Sequence, residues 1–226
     1  MKAPYFVAID FDGTVTDVDI IDAILQKFAR PEWSEVETLW EHGIIGSREC
    51  LERQMAMVDR TLAQLLDYTD RFSIDETFGD FVGLLEDRQI PFAIVSDGFH
   101  VMIERLLENA GLRGLPIIAN GLWENQGRLS TAFPYADRDC NAANCKCMAV
   151  QDLSKDRSLI LIGDGQSDFC LAHKAGLVFT KKKLTAYCQR HKIPHFPFDN
   201  FAEVARFFDI KRAEAVSLLS VISVKD

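Results

Sequence analysis

Three apolar runs, each ending in acidic and glycine residues, constrain the fold of this chain more than any other feature. Tyr5-Phe6-Val7-Ala8-Ile9 runs into Asp10-Phe11-Asp12-Gly13-Thr14, and Pro91-Phe92-Ala93-Ile94-Val95 runs into Ser96-Asp97-Gly98. Ser158-Leu159-Ile160-Leu161-Ile162 runs into Gly163-Asp164-Gly165-Gln166-Ser167-Asp168. Apolar runs of strand length closed by turn residues predict buried β-strands. In a parallel sheet the ligand-binding groups lie beyond the carboxyl ends of the strands, so the polar tips predict one shared site in an α/β fold.

Carboxylates crowded at strand tips repel one another and invite a hard, oxygen-seeking cation, for which Mg²⁺ held by a few carboxylates and a substrate phosphate is the common solution. One carboxylate of such a set is able to attack phosphorus and form an aspartyl-phosphate. The Ser96 hydroxyl and the adjacent N–H groups of Asp97 and Gly98 suit a phosphate oxygen, and Lys146 supplies a positive charge. Taken singly, Asp-x-Asp and Ser-Asp-Gly are also ordinary polar turns, Gly-Asp-Gly reads as a loop, and a lone lysine is usually solvated. Their order along the chain, each after a β-like run, carries the prediction.

With these four signatures the chain resembles the haloacid dehalogenase superfamily of phosphotransferases over nearly its whole length. The resemblance implies a Rossmann-like parallel sheet core with an inserted helical cap. It also implies Asp10 as nucleophile and Asp12 as the acid/base that protonates the leaving oxygen and then activates water. Ser96, Asp97, Gly98 and Lys146 would bind the phosphoryl group. Asp10, Asp12 through its backbone carbonyl, Asp164 and Asp168 would hold Mg²⁺. Asp12 must carry a proton in the first half-reaction, which requires a raised pKa.

Residues from Asp19 to about Phe81 carry helical periodicity, in Ile20, Ile21, Ile24, Leu25 and Phe28, and again from Leu51 to Leu66, with an interruption at Pro31. The expected division is a catalytic core of residues 1–16 and 82–226 and a cap of residues 17–81, inserted as in the phosphoserine phosphatase branch. By that likeness Asp19 and Arg53 are candidate substrate contacts in the cap. Asp19 also reads as a helix N-cap and Arg53 as half of a surface ion pair. Beyond the cap, strand and helix alternate, with a hairpin expected around Asn125-Gln126-Gly127 and a helix over Phe169–Ala175. A terminal helix or frayed tail is expected over Arg212–Val224.

The 226 residues, 48% apolar, are enough to bury a substantial core. A formal net charge of −9 argues against a nucleic-acid binder, whose phosphate contacts need clustered Lys and Arg. Lys181-Lys182-Lys183, the one notable basic run, reads as a solvated loop in which one lysine is placed to meet an anionic substrate. No membrane span or secretory signal is read in the sequence, so a cytoplasmic enzyme without a membrane partner is expected, as monomer or homodimer. Cys140, Cys145 and Cys147 cluster around Lys146 without zinc-finger spacing, which predicts reduced thiols whose oxidation would disturb that lysine. Among the histidines only His100 falls near the pocket, where it also reads as a helix start.

The tail from Leu177 through Phe198 is similar to a methionine-salvage subgroup of these phosphatases. Ser167 departs from the asparagine usual in phosphoserine phosphatases. The expected partner is a small phosphorylated metabolite: first the methionine-salvage enediol phosphate, with phosphoserine as alternative. A non-catalytic metabolite-binding module on the same fold is the alternative of a different class.

Overall fold

A computed structural model describes residues 3–138 and 140–209. The strands are β1 (Tyr5–Ile9), β2 (Phe92–Phe99), β3 (Ile117–Asn125), β4 (Arg128–Ala132), β5 (Ser158–Gly163), β6 (Leu177–Thr180) and β7 (His195–Pro197). They form one sheet in the order β4-β3-β2-β1-β5-β6-β7, parallel except for β4, which pairs antiparallel with β3. After β1 the chain builds towards β2 and β3, then crosses back to the other side of β1 to form β5. The gap above β1 is therefore the topological switch point, where open α/β sheets place their ligands.

Register fixes what meets there. Ile9 lies opposite Ile94 on β2 and Ile162 on β5, and Asp10 N donates to Ile162 O at 2.8 Å. Asp10 follows one residue past these pairs, and Ser96 and Asp164 two residues past them, so the three emerge on neighbouring tips. Below them the side chains of β1 alternate between two apolar layers, Val7 and Ile9 on one face, Phe6 and Ala8 on the other. The first layer packs under α5 (Phe78–Asp87), α6 (His100–Asn109) and α10 (Phe201–Asp209), where Phe78, Phe81 and Phe208 gather around Phe201 and its neighbours. The second packs against α7 (Lys146–Gln151), α8 (Phe169–Ala172) and α9 (Lys182–His191). Burying one such Ile, Val or Phe side chain is worth about 1.5–3 kcal/mol, so the sheet is a rigid base for the tips.

Between β1 and α5 lie four helices, α1 (Ile20–Phe28), α2 (Trp33–Glu41), α3 (Ser47–Met55) and α4 (Leu62–Thr69). Pro31 falls in the break after α1, as its missing N–H and fixed φ dictate. The expected division at residues 81 and 82 falls inside α5. At the end of α4, Asp70 accepts a fork from Arg105 of α6, Nε and Nη2 each at 2.7 Å, and a third bond from Asn109 Nδ2 at 2.7 Å.

The hairpin closes through Gln126 and Gly127, both at positive φ (49° and 75°), which is the tight turn that matches strand twist. α8 stops at Ala172, earlier than expected, because the N–H groups of Lys174 and Ala175 both turn back to Leu171 O. The expected tail over Arg212–Val224 lies outside the described residues. Among the described residues no helix is long and apolar enough to cross a membrane.

Candidate active site

The tips of β1, β2 and β5 and the start of α7 converge under α1, α2 and α3. Lys146, the first residue of α7, is fully buried, with Nζ 2.6 Å from Asp10 Oδ1 and 2.6 Å from Asp168 Oδ1. Asp168 Oδ2 accepts from the N–H groups of Asp164 and Gly165 at 3.1 and 3.2 Å. Asp10 Oδ2 accepts from the Thr14 hydroxyl at 3.2 Å. Asp12 Oδ1 accepts from Ile20 N at 3.0 Å, and its Oδ2 faces the Ser96 hydroxyl at 3.4 Å. Gly98 N donates to Ser96 Oγ at 2.9 Å.

Glycines make this closeness possible. Gly13 has φ 75°, and a Cβ there would collide with the Asp164 carboxylate; at Gly98 a Cβ would meet Asp12 Oδ2 at 2.5 Å. Only a residue without a side chain admits both the left-handed backbone at Gly13 and the approach of the two loops.

Burial raises the Asp10 carboxyl to about 6 against the pull of Lys146, with Asp164 adding to the rise. Asp168 rises to about 6 in the same way, burial outweighing Lys146. Burial disfavours the charge on Lys146, but Asp10 and Asp168 outweigh it and hold the ammonium above its ordinary range. At neutral pH the trio is therefore one cation between two carboxylates. Asp12 differs: burial first, then Asp19, push it well above the usual carboxylate range, with no cation among the main influences. Two carboxyls two residues apart thus sit in different surroundings, Asp10 held by a cation and Asp12 raised by burial and a neighbouring acid.

Asp10, Asp164 and Asp168 offer carboxylate oxygens within 4.8 Å of one another. Such a set of hard oxygen donors fits Mg²⁺ rather than a soft metal. A protein cation already stands beside it: Lys182 Nζ lies 3.3 Å from Asp164 Oδ2. Burial and then Asp168 raise the Asp164 carboxyl, as expected of acids gathered where a further positive charge belongs.

The Lys181-Lys182-Lys183 run is solvent-exposed at Lys182 and Lys183, as expected, but it opens a helix instead of lying in a loop. Gly163 of β5 pairs with Thr180 of β6, so the residues after Thr180 emerge beside Asp164. Lys182 opens α9 with φ 41°, uncommon for a residue other than glycine, and lines the cleft with Lys183. Lys181 Nζ donates to Thr14 O at 3.1 Å and so braces the loop that carries Asp10 and Asp12.

Asp97 points away from a phosphate role for its own carboxylate. Its Oδ2 accepts from the Ser47 hydroxyl at 2.7 Å and its Oδ1 from Asn144 N at 2.5 Å. Asn144 Nδ2 in turn donates to Ser96 O at 2.8 Å and Ile118 O at 3.0 Å. This network fixes the loop before Lys146 and the first residue of α3 to the β2 tip. The sequence marked neither Ser47 nor Asn144, and it placed Thr14 in the first signature without giving it a role.

Above the trio lies a cleft of about 380 Å³. Asp19, Asp22, Glu37, Glu41 and Trp40 line it with the apolar Ile21 and Leu51, and with Gln54. Asp19 caps α1 by accepting from Asp22 N at 3.0 Å, so it is both a helix cap and part of the cleft wall. Its carboxyl opens through the cleft mouth, yet protein flanks it on most sides; that desolvation leads its rise to about 6, with Asp22 adding. Arg53 does not line the cleft. It pairs with Glu49 at 3.4 Å on the exposed side of α3, and the neighbouring Gln54 faces inward, donating to Glu37 at 2.8 Å. His100 starts α6, exposed, 3.8 Å from Glu104.

A family model described as haloacid dehalogenase-like hydrolase matches residues 7–173. The 2-hydroxy-3-keto-5-methylthiopentenyl-1-phosphate phosphatase of Geobacillus kaustophilus (strain HTA426) is 30% identical over 201 residues, covering 86% of this chain and 91% of that protein. The protein of the same name from Microcystis aeruginosa is 27% identical over 203 residues, 88% and 94% of the two chains. Among solved structures, a substrate-bound phosphoserine phosphatase complex superposes with a TM-score of 0.72 at 19% identity, over 92% of this chain and 99% of the other. A phospho-aspartyl intermediate analogue of phosphoserine phosphatase gives 0.70 at 19% identity, over 92% and 99%. These two likenesses speak to the fold.

Proposed function

The chain belongs to the haloacid dehalogenase-like hydrolase family, and from that premise we propose that it is a Mg²⁺-dependent phosphomonoesterase working through an aspartyl-phosphate on Asp10. The observation that carries the reading is the buried Lys146 ammonium forked between Asp10 and Asp168 beneath an open cleft, with Asp12 and Ser96 beside it. A non-catalytic binding module has no use for a buried carboxyl raised by burial beside a second carboxylate held by a buried lysine.

In this reading the phosphoryl group sits over Asp10, its equatorial oxygens facing Lys146, the Ser96 hydroxyl and the Gly98 N–H. Mg²⁺ held by Asp10, Asp164, the Asp12 carbonyl and Asp168 would neutralise charge on the transferring group and the nucleophile. Asp10, ionised at neutral pH, attacks phosphorus while Asp12, protonated, gives its proton to the leaving oxygen. Asp12 is then a carboxylate and takes a proton from the water that attacks the aspartyl-phosphate, which frees Asp10 and phosphate. Asp97 acts as a brace for Ser96 and for the loop before Lys146.

Residues 17–81 are proposed as the cap that covers this chemistry and reads the leaving group, with Asp19 in its wall. The favoured substrate is the enediol phosphate named in the relatives. Ile21, Leu51 and Trp40 offer surface for a methylthio chain, and the acidic and amide groups offer acceptors for its hydroxyl. Phosphoserine ranks second, because its carboxylate would enter a wall of four acids, and Arg53, the expected cation for it, is paired with Glu49 outside. Measuring kcat/KM for both substrates with Mg²⁺ tests the ranking. Preference for phosphoserine overturns the substrate; no hydrolysis of any phosphomonoester overturns the enzyme.

A further inference from the structure

Four of the six cysteines, Cys140, Cys145, Cys147 and Cys170, gather close to one another around Lys146 and do not line the cleft. Lys146 itself stands between Cys145 and Cys147, and Asp168, its buried partner, is two residues before Cys170. Cys147 Sγ lies 3.6 Å from Cys170 Sγ, linking α7 to α8 one and two residues along the chain from the Lys146–Asp168 ion pair. Among the described residues, the three aspartates are the group whose ligand atoms come within one ion's reach, so these thiols do not form a ready metal site.

We propose that Cys147 and Cys170 are a reversible dithiol site that takes a low-molecular-weight disulfide, such as oxidised glutathione, and that their bond switches off the phosphoryl site by displacing Lys146. Access suits this chemistry: Cys170 is exposed and Cys147 half-buried, whereas Cys145 is buried. The Cys170 thiol, with Lys174 nearby, lowers the Cys147 thiol despite burial, and the exchange balances alike whichever sulfur of the pair attacks first.

The Cys147 thiolate attacks one sulfur of the small disulfide and expels the other as a thiolate, leaving a mixed disulfide. Cys170 then loses its proton, attacks the Cys147 sulfur and expels the second small thiolate. Two protein thiols are oxidised, one small disulfide is reduced to two thiols, and excess thiol reverses the exchange. A disulfide sets its sulfurs about 2.05 Å apart, so closing from 3.6 Å draws the start of α7 and the start of α8 together. Lys146 and Asp168 ride on those same segments. A misplacement of order 1 Å at a reacting centre costs about 100-fold in rate.

The effect on turnover rests on the proposed phosphatase reading; formation of the bond does not. The chain is equilibrated with oxidised and reduced glutathione in varied ratio, and peptide mass mapping is read beside p-nitrophenyl phosphate hydrolysis. The expected result is a Cys147–Cys170 crosslink whose extent tracks a loss of turnover of about 100-fold, restored by dithiothreitol. Cys170→Ser, and separately Cys147→Ala, should keep basal turnover and lose the sensitivity, while Cys140→Ser retains it. Absence of the crosslink, or a crosslink through Cys140 or Cys145 instead, overturns the site. A crosslinked enzyme with unchanged turnover overturns the switch. A chain that forms the crosslink on oxidation but hydrolyses no phosphate even when reduced upholds the dithiol site and counts against the phosphatase reading alone.

Discussion

Replacing Gly98 by alanine isolates the acid/base group from the rest of the site. A Cβ at position 98 would stand 2.5 Å from Asp12 Oδ2 and 3.1 Å from Ser96 Oγ. Non-bonded heavy atoms rest at about 3.5 Å, so the overlap with Asp12 is about 1 Å and that with Ser96 less than half as much. The backbone has little room to retreat, because Asn120 Nδ2 holds Asp97 O at 2.6 Å and Ser47 and Asn144 hold the Asp97 carboxylate. Asp12 must therefore swing, which it does by giving up its contact with Ser96 while keeping Ile20 N. A displacement of about 1 Å costs about 100-fold, or about 2.7 kcal/mol in activation energy. The loss should appear in full for an alkyl phosphate such as glycerol phosphate, whose leaving oxygen needs the proton. It should shrink to a few-fold for p-nitrophenyl phosphate, whose leaving group departs without it. Single-turnover release of the leaving group separates this step from hydrolysis of the intermediate, and a thermal melt checks that the fold is intact. Equal losses on the two substrates would place the damage at the phosphoryl-binding Ser96 and refute the assignment of Asp12 as acid. Full activity on glycerol phosphate would refute the steric reasoning altogether.

Asp10→Asn should abolish turnover with the fold retained, and acid quench of the wild-type enzyme during turnover should place the phosphoryl label on Asp10; label on Ser96 would contradict the mechanism. A chelator should remove activity and Mg²⁺ restore it, while Ca²⁺, with its larger and looser coordination, should inhibit; activity surviving rigorous metal removal would count against the donor set. Asp70, lowered to about 2 by its bonds from Arg105 and Asn109, contributes stability that is present above the unfolded value near 4 and lost as the pH falls through about 2. Asp70→Asn should lower the Tm by roughly 2 °C at pH 7, and the gap to wild type should close between pH 4 and pH 2; a gap that stays constant would show that the fork does not act through charge.

The convergence of Asp10, Ser96 and Asp164 was legible because strand periodicity and strand-end polarity are local signals, and a parallel sheet turns them into proximity. Applied consistently, the same rule would have marked Lys182, since Leu177-Val178-Phe179 is a fourth apolar run whose polar tip abuts Asp164. The run of three lysines obscured this, because basic clusters are usually solvated. Other parts had no local signal. Ser47 meets Asp97 across fifty positions of sequence, and Asn144 bonds Ser96 across forty-eight; ordinary polar residues of this kind become significant only once the chain has folded. Helix phase hid another feature. Arg53 and Gln54 differ by about 100° around α3, and that rotation alone turns Gln54 into the cleft and Arg53 towards Glu49.

Lys146 explains how so many acids are tolerated at one point and also which Asp10 oxygen is available for chemistry. Removing a buried cation from two carboxylates would leave uncompensated charge, a loss of about 3–5 kcal/mol in comparable ion pairs. The lysine is thus a condition of the folded site as well as the proposed ligand for phosphate. Its bond to Asp10 Oδ1 is short and charge-assisted at 2.6 Å, whereas Oδ2 receives the neutral Thr14 hydroxyl at the longer 3.2 Å. Under the proposed mechanism Oδ2 is therefore the less encumbered oxygen and the one with a lone pair to offer phosphorus, while Oδ1 remains anchored. An incoming phosphate shares the Lys146 ammonium with Oδ1, so substrate binding loosens the contact that neutralises Asp10 at the moment its carboxylate is needed. A site built in this way keeps its nucleophile ionised but restrained until a second anion arrives to compete for the same cation.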